Sequence, residues 1–101
     1  MSKIRVFIVD DHAMFREGVR SLLSVYEDIE VTGEAANGKE ALGQIHELAP
    51  DVVLLDISMP VMNGVETARR LQKEQPNTRI LILTQYEDRE YLISMLRVGV
   101  K

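Results

Sequence analysis

Asp10, Asp11, Asp56 and Thr84 stand at matching places in the chain, each at or just past the end of a short apolar run. "VFIV" leads into Asp10 and Asp11, "VVLL" into Asp56, and "LIL" into Leu83 and Thr84. A carboxylate is costly at the end of a buried strand unless something there needs it. Three carboxylates brought together repel one another, and a hard divalent cation relieves that repulsion. Mg²⁺ suits such a cluster, because it takes a few carboxylate oxygens and keeps room for water and a phosphoryl group. A carboxylate is also a nucleophile toward phosphorus and forms an acyl phosphate. Asp56, alone at its strand end, is the natural nucleophile, and the adjacent pair Asp10 and Asp11 the natural metal holder. Each acid also has a structural explanation, Asp11 as a helix cap and Asp56 as a turn acid ahead of Pro60. Capping needs do not account for all three together.

These acids meet only if the elements that carry them run in the same direction. Ile4 to Val9 reads as a strand, and Phe15, Val19, Leu22, Leu23 and Tyr26 then recur at helical spacing. Ile29 to Ala35 alternates as a strand does, and Ala41, Leu42, Ile45 and Leu48 form a second helical stripe. "DVVLLD" is followed by a helix around Val65, Ala68 and Leu71, and "RILILT" by one around Leu92, Met95 and Leu96. Two helices open with the same cap, Asn37-Gly-Lys-Glu40 and Asn63-Gly-Val-Glu66, and Pro50 and Pro76 end the helices before them. Strands alternating with helices imply a parallel sheet covered on both faces, a doubly wound α/β fold. All carboxyl ends then lie on one edge, where such folds bind ligands. With the first and third strands adjacent at about 4.8 Å, Asp10, Asp11 and Asp56 converge.

The composition fits one domain. The 101 residues suffice for a single core, and 46% hydrophobic with 28% charged residues is the balance of a folded soluble protein. No signal peptide is legible and no apolar run approaches the roughly 20 residues of a membrane span, so a cytoplasmic location is expected. Without cysteine there are no disulfides and no thiolate chemistry. A net charge of -4 argues against this domain binding a phosphate backbone itself.

"VDDH" at Val9 to His12, "LLDISMPVMNGVE" at Leu54 to Glu66 and "ILILT" at Ile80 to Thr84 resemble the receiver domains of two-component response regulators. "VDDH" with "MFREGVRSLL" is most similar to receivers that precede a LuxR-type DNA-binding domain. The resemblance runs through the whole chain. It implies a flavodoxin-like sheet of order 2-1-3-4-5 and a regulatory phosphoacceptor, with no enzyme activity beyond its own phosphotransfer and dephosphorylation. Asp56 would take a phosphoryl group from the phosphohistidine of a sensor histidine kinase. Asp11 would ligate Mg²⁺ with help from Asp10, and Ser58 would offer its backbone carbonyl. Thr84 would turn toward the acyl phosphate, and Tyr86 with a fourth helix from about Asp88 to Val98 would report it; Tyr86 is equally open to ordinary surface packing. The resemblance leaves His12 no metal role, in keeping with the preference of Mg²⁺ for oxygen.

The chain departs from the family at its C-terminal end. The family's fifth strand, which carries a lysine that pairs with the phosphoryl group, and its fifth helix are not in this sequence, and Lys101 precedes the place where that strand would begin. Two expectations follow: weaker charge neutralisation at the phosphoryl group, and a bare fourth strand that leaves the chain either self-associating through it or marginally stable. Two other readings stay open. One is a Mg²⁺-dependent phosphohydrolase with an aspartyl-phosphate intermediate, weakened by Ser58 standing where a second acid is usual. The other is a module that acts through partner contacts without phosphorylation.

Overall fold

The structure is a computed structural model that describes residues 3–56 and 64–83, together with Ile93, Leu96 and Arg97. Four strands, β1 (Ile4–Val9), β2 (Ile29–Ala35), β3 (Val52–Asp56) and β4 (Arg79–Leu83), alternate with helices α1 (Ala13–Ser24), α2 (Gly38–Leu48) and α3 (Gly64–Glu74). The strands form one sheet in the order β2-β1-β3-β4, with every neighbouring pair parallel. This is the expected doubly wound arrangement, and reversal of strand order at β1 and β3 puts the switch point beside the acids.

Alternation along β1 divides the core into two layers. Val6 and Ile8 face α1 and pack with Val19, Leu23, Ile29, Val52 and Leu54. Phe7 and Val9 face the opposite way, with Ala41 and Ile45 of α2 and Leu71 of α3. The central strands are buried on both sides, as their unbroken apolar runs require. From the expected fourth helix, Ile93 and Leu96 are described as helical and buried on the α1 side. Leu92 and Met95, the other residues expected in that stripe, lie outside the described residues.

Asn37 caps α2 as anticipated. Its side chain accepts from Glu40 N at 2.9 Å, while Glu40 Oε1 accepts from Ala36 N at 3.4 Å. The equivalent Asn63 lies outside the described residues; Glu66 pairs with Arg69 at 2.6 Å and with Arg70 at 3.6 Å along α3. Helix α2 ends at Ala49, whose φ of 45° and ψ of 59° are left-handed. This conformation crowds a Cβ and is the usual place for glycine. Ala49→Gly is therefore expected to stabilise the fold by about 0.5–1 kcal/mol, visible as a raised Tm in thermal unfolding.

At the lower corner of the sheet, Arg97 binds Asp28 through two hydrogen bonds of 2.9 and 3.0 Å. Its guanidinium also lies 5.5 Å from the ring centroid of Tyr26. The hydrogen bond from Arg97 holds the Asp28 carboxyl below its ordinary value of 3.8. The lowered pKa stabilises the fold above that ordinary value, and the contribution fades as pH falls through the folded-state pKa. Arg97→Gln is expected to return the Asp28 pKa toward 3.8, read by NMR titration of its carboxyl carbon.

Candidate functional site

The carboxyl edge of the sheet is built by the ladder itself. Val9 pairs with Leu55 across β1 and β3, so Asp10 and Asp56, the next residues in each strand direction, reach the same edge. Asp56 in turn pairs with Leu83 of β4. Asp10 N donates to Ala35 O at 3.1 Å, which ties the first acid to the end of β2 as well.

Beyond Val9 the chain makes a tight turn through the acid pair. Asp10 Oδ1 accepts from His12 N at 2.8 Å, a side chain bonding the backbone two residues on. The Asp10 side chain is nearly buried, at 7% exposure. Asp11 does not cap α1: the N-cap residue is His12, and no side chain makes a cap hydrogen bond there. The capping explanation for this acid therefore fails. Asp11 Oδ1 is buried and, among the described residues, has no hydrogen-bond partner. His12 Nδ1 lies 3.0 Å from it, at ion-pair distance but off hydrogen-bond geometry. A bound cation would give that acceptor oxygen the partner that no hydrogen bond among the described residues supplies. The donor set and the orphaned oxygen thus fit a hard divalent cation.

A cationic brace holds this turn from α1. Arg16 donates through Nη1 to the Asp10 carbonyl and through Nε to Glu34 Oε1 at 3.0 Å. Arg20 holds the other Glu34 oxygen at 3.1 Å. Glu34 lies near the end of β2, so the pair of arginines staples α1 to the sheet beside the acids. The sequence reading missed Arg16 and Glu34. The available signal was a cation four residues beyond His12, where a helix begun at the acid pair points back along its first turn.

Of the site residues expected from sequence, Asp10 and Asp11 are adjacent to His12 with donor atoms all within 4.8 Å. Asp56 is placed by its backbone at the same edge. Ser58, Thr84 and Tyr86 lie outside the described residues.

Residues 6–101 match the family model described as response regulator receiver domain. The chain belongs to that family. The response regulator protein VraR of Staphylococcus aureus is 49% identical over 97 residues, covering 96% of this receiver and 46% of VraR. A protein of Bacillus subtilis named as an uncharacterized transcriptional regulatory protein, YhcZ, is 44% identical over 98 residues, 97% of this chain and 46% of its own. The receiver therefore spans about half the length of the curated relatives it matches. Among solved structures, the signal receiver domain of the putative response regulator NarL from Mycobacterium tuberculosis superposes with a TM-score of 0.79 at 37% identity. That match covers 99% of this chain and 81% of the other. A LuxR-family response regulator from Aurantimonas gives 0.78 at 32% identity, covering 98% and 71%. No helix among the described residues is long and apolar enough to cross a membrane.

Proposed function

We propose that Asp56 accepts a phosphoryl group from the phosphohistidine of a sensor histidine kinase, with Asp10, Asp11, Asp56 and the Ser58 carbonyl holding Mg²⁺. The observation that carries this reading is Asp11 Oδ1 beside Asp10, a buried oxygen with no hydrogen bond among the described residues. Its supports are the shared sheet edge of Asp10 and Asp56 and membership of the receiver family. When bound, Mg²⁺ supplies charge neutralisation for the acids and the incoming phosphoryl oxygens.

An Asp56 carboxylate oxygen attacks phosphorus in line as the P–N bond of the donor breaks. The bond's electron pair stays on the imidazole nitrogen, and a carboxyl phosphate remains on Asp56. Arg16 keeps the Asp10 carbonyl and its turn fixed while this happens. The new group adds about -1.5 to -2 charges and three strong acceptors. Thr84 answers it with its hydroxyl, and Tyr86 and the helix beyond carry the change to a DNA-binding output domain. That output fits the transcriptional name of one relative and the length of both. The setting is cytoplasmic, and the domain regulates rather than catalyses turnover. The test is intact-protein mass after incubation with a small-molecule phosphodonor. One phosphoryl group is expected in Mg²⁺ and almost none with a chelator; equal uptake in both would sink the metal reading.

A second copy of this chain is the proposed partner of β4. Among the described residues β4 pairs only with β3, and Ile82 on it is 38% exposed. An apolar strand can pair with a strand of another chain. Sedimentation of the chain is expected to give a concentration-dependent dimer, and Ile82→Lys a monomer.

A further inference from the structure

Asp10 is held through both of its backbone groups, and both holds come from the end of β2. Its N–H donates to Ala35 O at 3.1 Å, and its carbonyl accepts from Arg16 Nη1. Arg16 is aimed by Glu34, the neighbour of Ala35, which accepts from Arg16 Nε at 3.0 Å. The backbone of Arg16 is tied to the same turn, since its N–H donates to His12 O at 3.0 Å. The Arg16 side chain is 16% exposed, whereas Arg20, on the far oxygen of Glu34, is 55% exposed. The less exposed arginine of the pair is thus the one that reaches the backbone of the acids.

The Asp10 carbonyl lies in the planar peptide that leads into Asp11. A donor that fixes this oxygen therefore fixes the plane from which Asp11 departs, and with it the relative placement of the two carboxylates. Joining α1 to the sheet does not require this bond, because Arg20 on Glu34 already does so. Nor does a lysine replace the arginine: a guanidinium donates in two directions from one rigid plane, and an ammonium is a point charge on a flexible stem. We propose that Arg16 is a positioning residue for phosphotransfer, aimed by Glu34, which holds the Asp10–Asp11 peptide so that both carboxylates are set before the donor arrives. The inference rests on the reading that Asp56 accepts a phosphoryl group with Mg²⁺ held at the acid pair, and adds the residue that sets the geometry of that pair.

The test titrates Mg²⁺ into the full chain without a phosphodonor, followed by the NMR shifts of the Asp11 and His12 amides, and then measures phosphoryl uptake by intact mass over the same Mg²⁺ range. Arg16→Gln is expected to raise the half-saturating Mg²⁺ concentration about 10–100-fold, the usual size for a group that orients metal ligands from behind. Most of the uptake rate is expected to return at saturating Mg²⁺. Arg16→Lys and Glu34→Gln are milder changes that carry the same comparison, each with a smaller rise. Arg20→Gln is expected to stay within about twofold of the unaltered chain, since it loses only an exposed pair. In the metal-free chain, the His12 N–H donates to Asp10 Oδ1 at 2.8 Å; its hydrogen exchange is expected to quicken in Arg16→Gln and not in Arg20→Gln. Asp51→Asn controls for lost stability, because that carboxylate accepts from Arg5 N at the opposite end of β3. An unchanged half-saturating Mg²⁺ concentration in Arg16→Gln, or a rise matched by Arg20→Gln or Asp51→Asn, overturns the proposal. An unaltered chain that binds no Mg²⁺ fails at an earlier step, and overturns the Mg²⁺ reading together with this one.

Discussion

Asp56→Asn is expected to take up no phosphoryl group from a small-molecule donor in Mg²⁺, while its unfolding transition stays close to that of the unaltered chain. The substitution keeps the shape and removes the nucleophile, because a neutral amide oxygen attacks phosphorus far more weakly than a carboxylate. Position is the other half of the argument. Val52 to Leu55 are at most 1% exposed, and hydrogen-bonded strands flank them on both sides. A strand held this tightly delivers its last residue to a fixed place at the edge, the kind of preorganisation phosphoryl transfer depends on. Intact mass reads the result directly. A phosphoryl group still gained by Asp56→Asn would mean that another carboxylate, Asp10 or Asp11, is the acceptor, and the roles assigned to the three acids would have to be exchanged. Asp51→Asn is the control for stability. That carboxylate accepts from Arg5 N at 2.8 Å at the opposite end of β3, so its loss should lower Tm without touching uptake.

What the sequence made legible follows from which interactions are periodic. The strands β1 to β4 and the stripes of α1 and α2 were readable because burial repeats with the geometry of each element. The edge position of Asp10 and Asp56 followed from parallel direction alone. Contacts between residues far apart in sequence left no such trace. Glu34 on an exposed-looking strand gives no hint that it holds Arg16 and Arg20 of α1. The stripe expected around Leu92, Met95 and Leu96 did not include Ile93, which is 6% exposed in the core. Leu96 is buried as expected, while Leu92 and Met95 lie outside the described residues. Ala49 in a left-handed cap was hidden for a different reason. Glycine is the residue that announces that conformation, and alanine here adopts it silently because Pro50 and the ends of β1 and β3 fix the chain beyond it. Arg5 Nη1 donates to the Ala49 carbonyl at 3.0 Å, and Thr78 Oγ1 to that of Pro50 at 3.0 Å. Asp11 could be read as cap or ligand from sequence, and only the placement of the N-cap at His12, with no side-chain cap bond, decides against the first.

Gly33→Val is expected to lower stability by about 3 kcal/mol, and Gly33→Ala by about 1–3 kcal/mol. In most strands the change from glycine to alanine helps, since glycine is entropically costly there. Here a register shift between Val6 and Phe7 leaves Thr32 as an extra residue in β2 and sets Gly33 against Phe7. A Cβ at Gly33 would lie 2.9 Å from Phe7 Cε2 and 3.2 Å from Leu48 Cδ1. Phe7 is wholly buried against Val9, Ile45 and Leu71, so the ring has no free space to move into and the clash outweighs the backbone gain. For a domain of this size, each kcal/mol lost lowers Tm by about 4–8 °C. Phe7→Leu should relieve the contact, so the double variant with Gly33→Ala is expected to be more stable than the two single losses predict. Additive losses would mean that the glycine is needed for the bulge and not for the ring. The defect should also reach the site. Gly33 precedes Glu34, which holds Arg16, which holds the Asp10 carbonyl, so a strand displaced at Gly33 loosens the acid pair. Mg²⁺ affinity in Gly33→Ala is expected to fall well below that of the unaltered chain even at temperatures where the variant is folded, and to recover when Phe7→Leu is added.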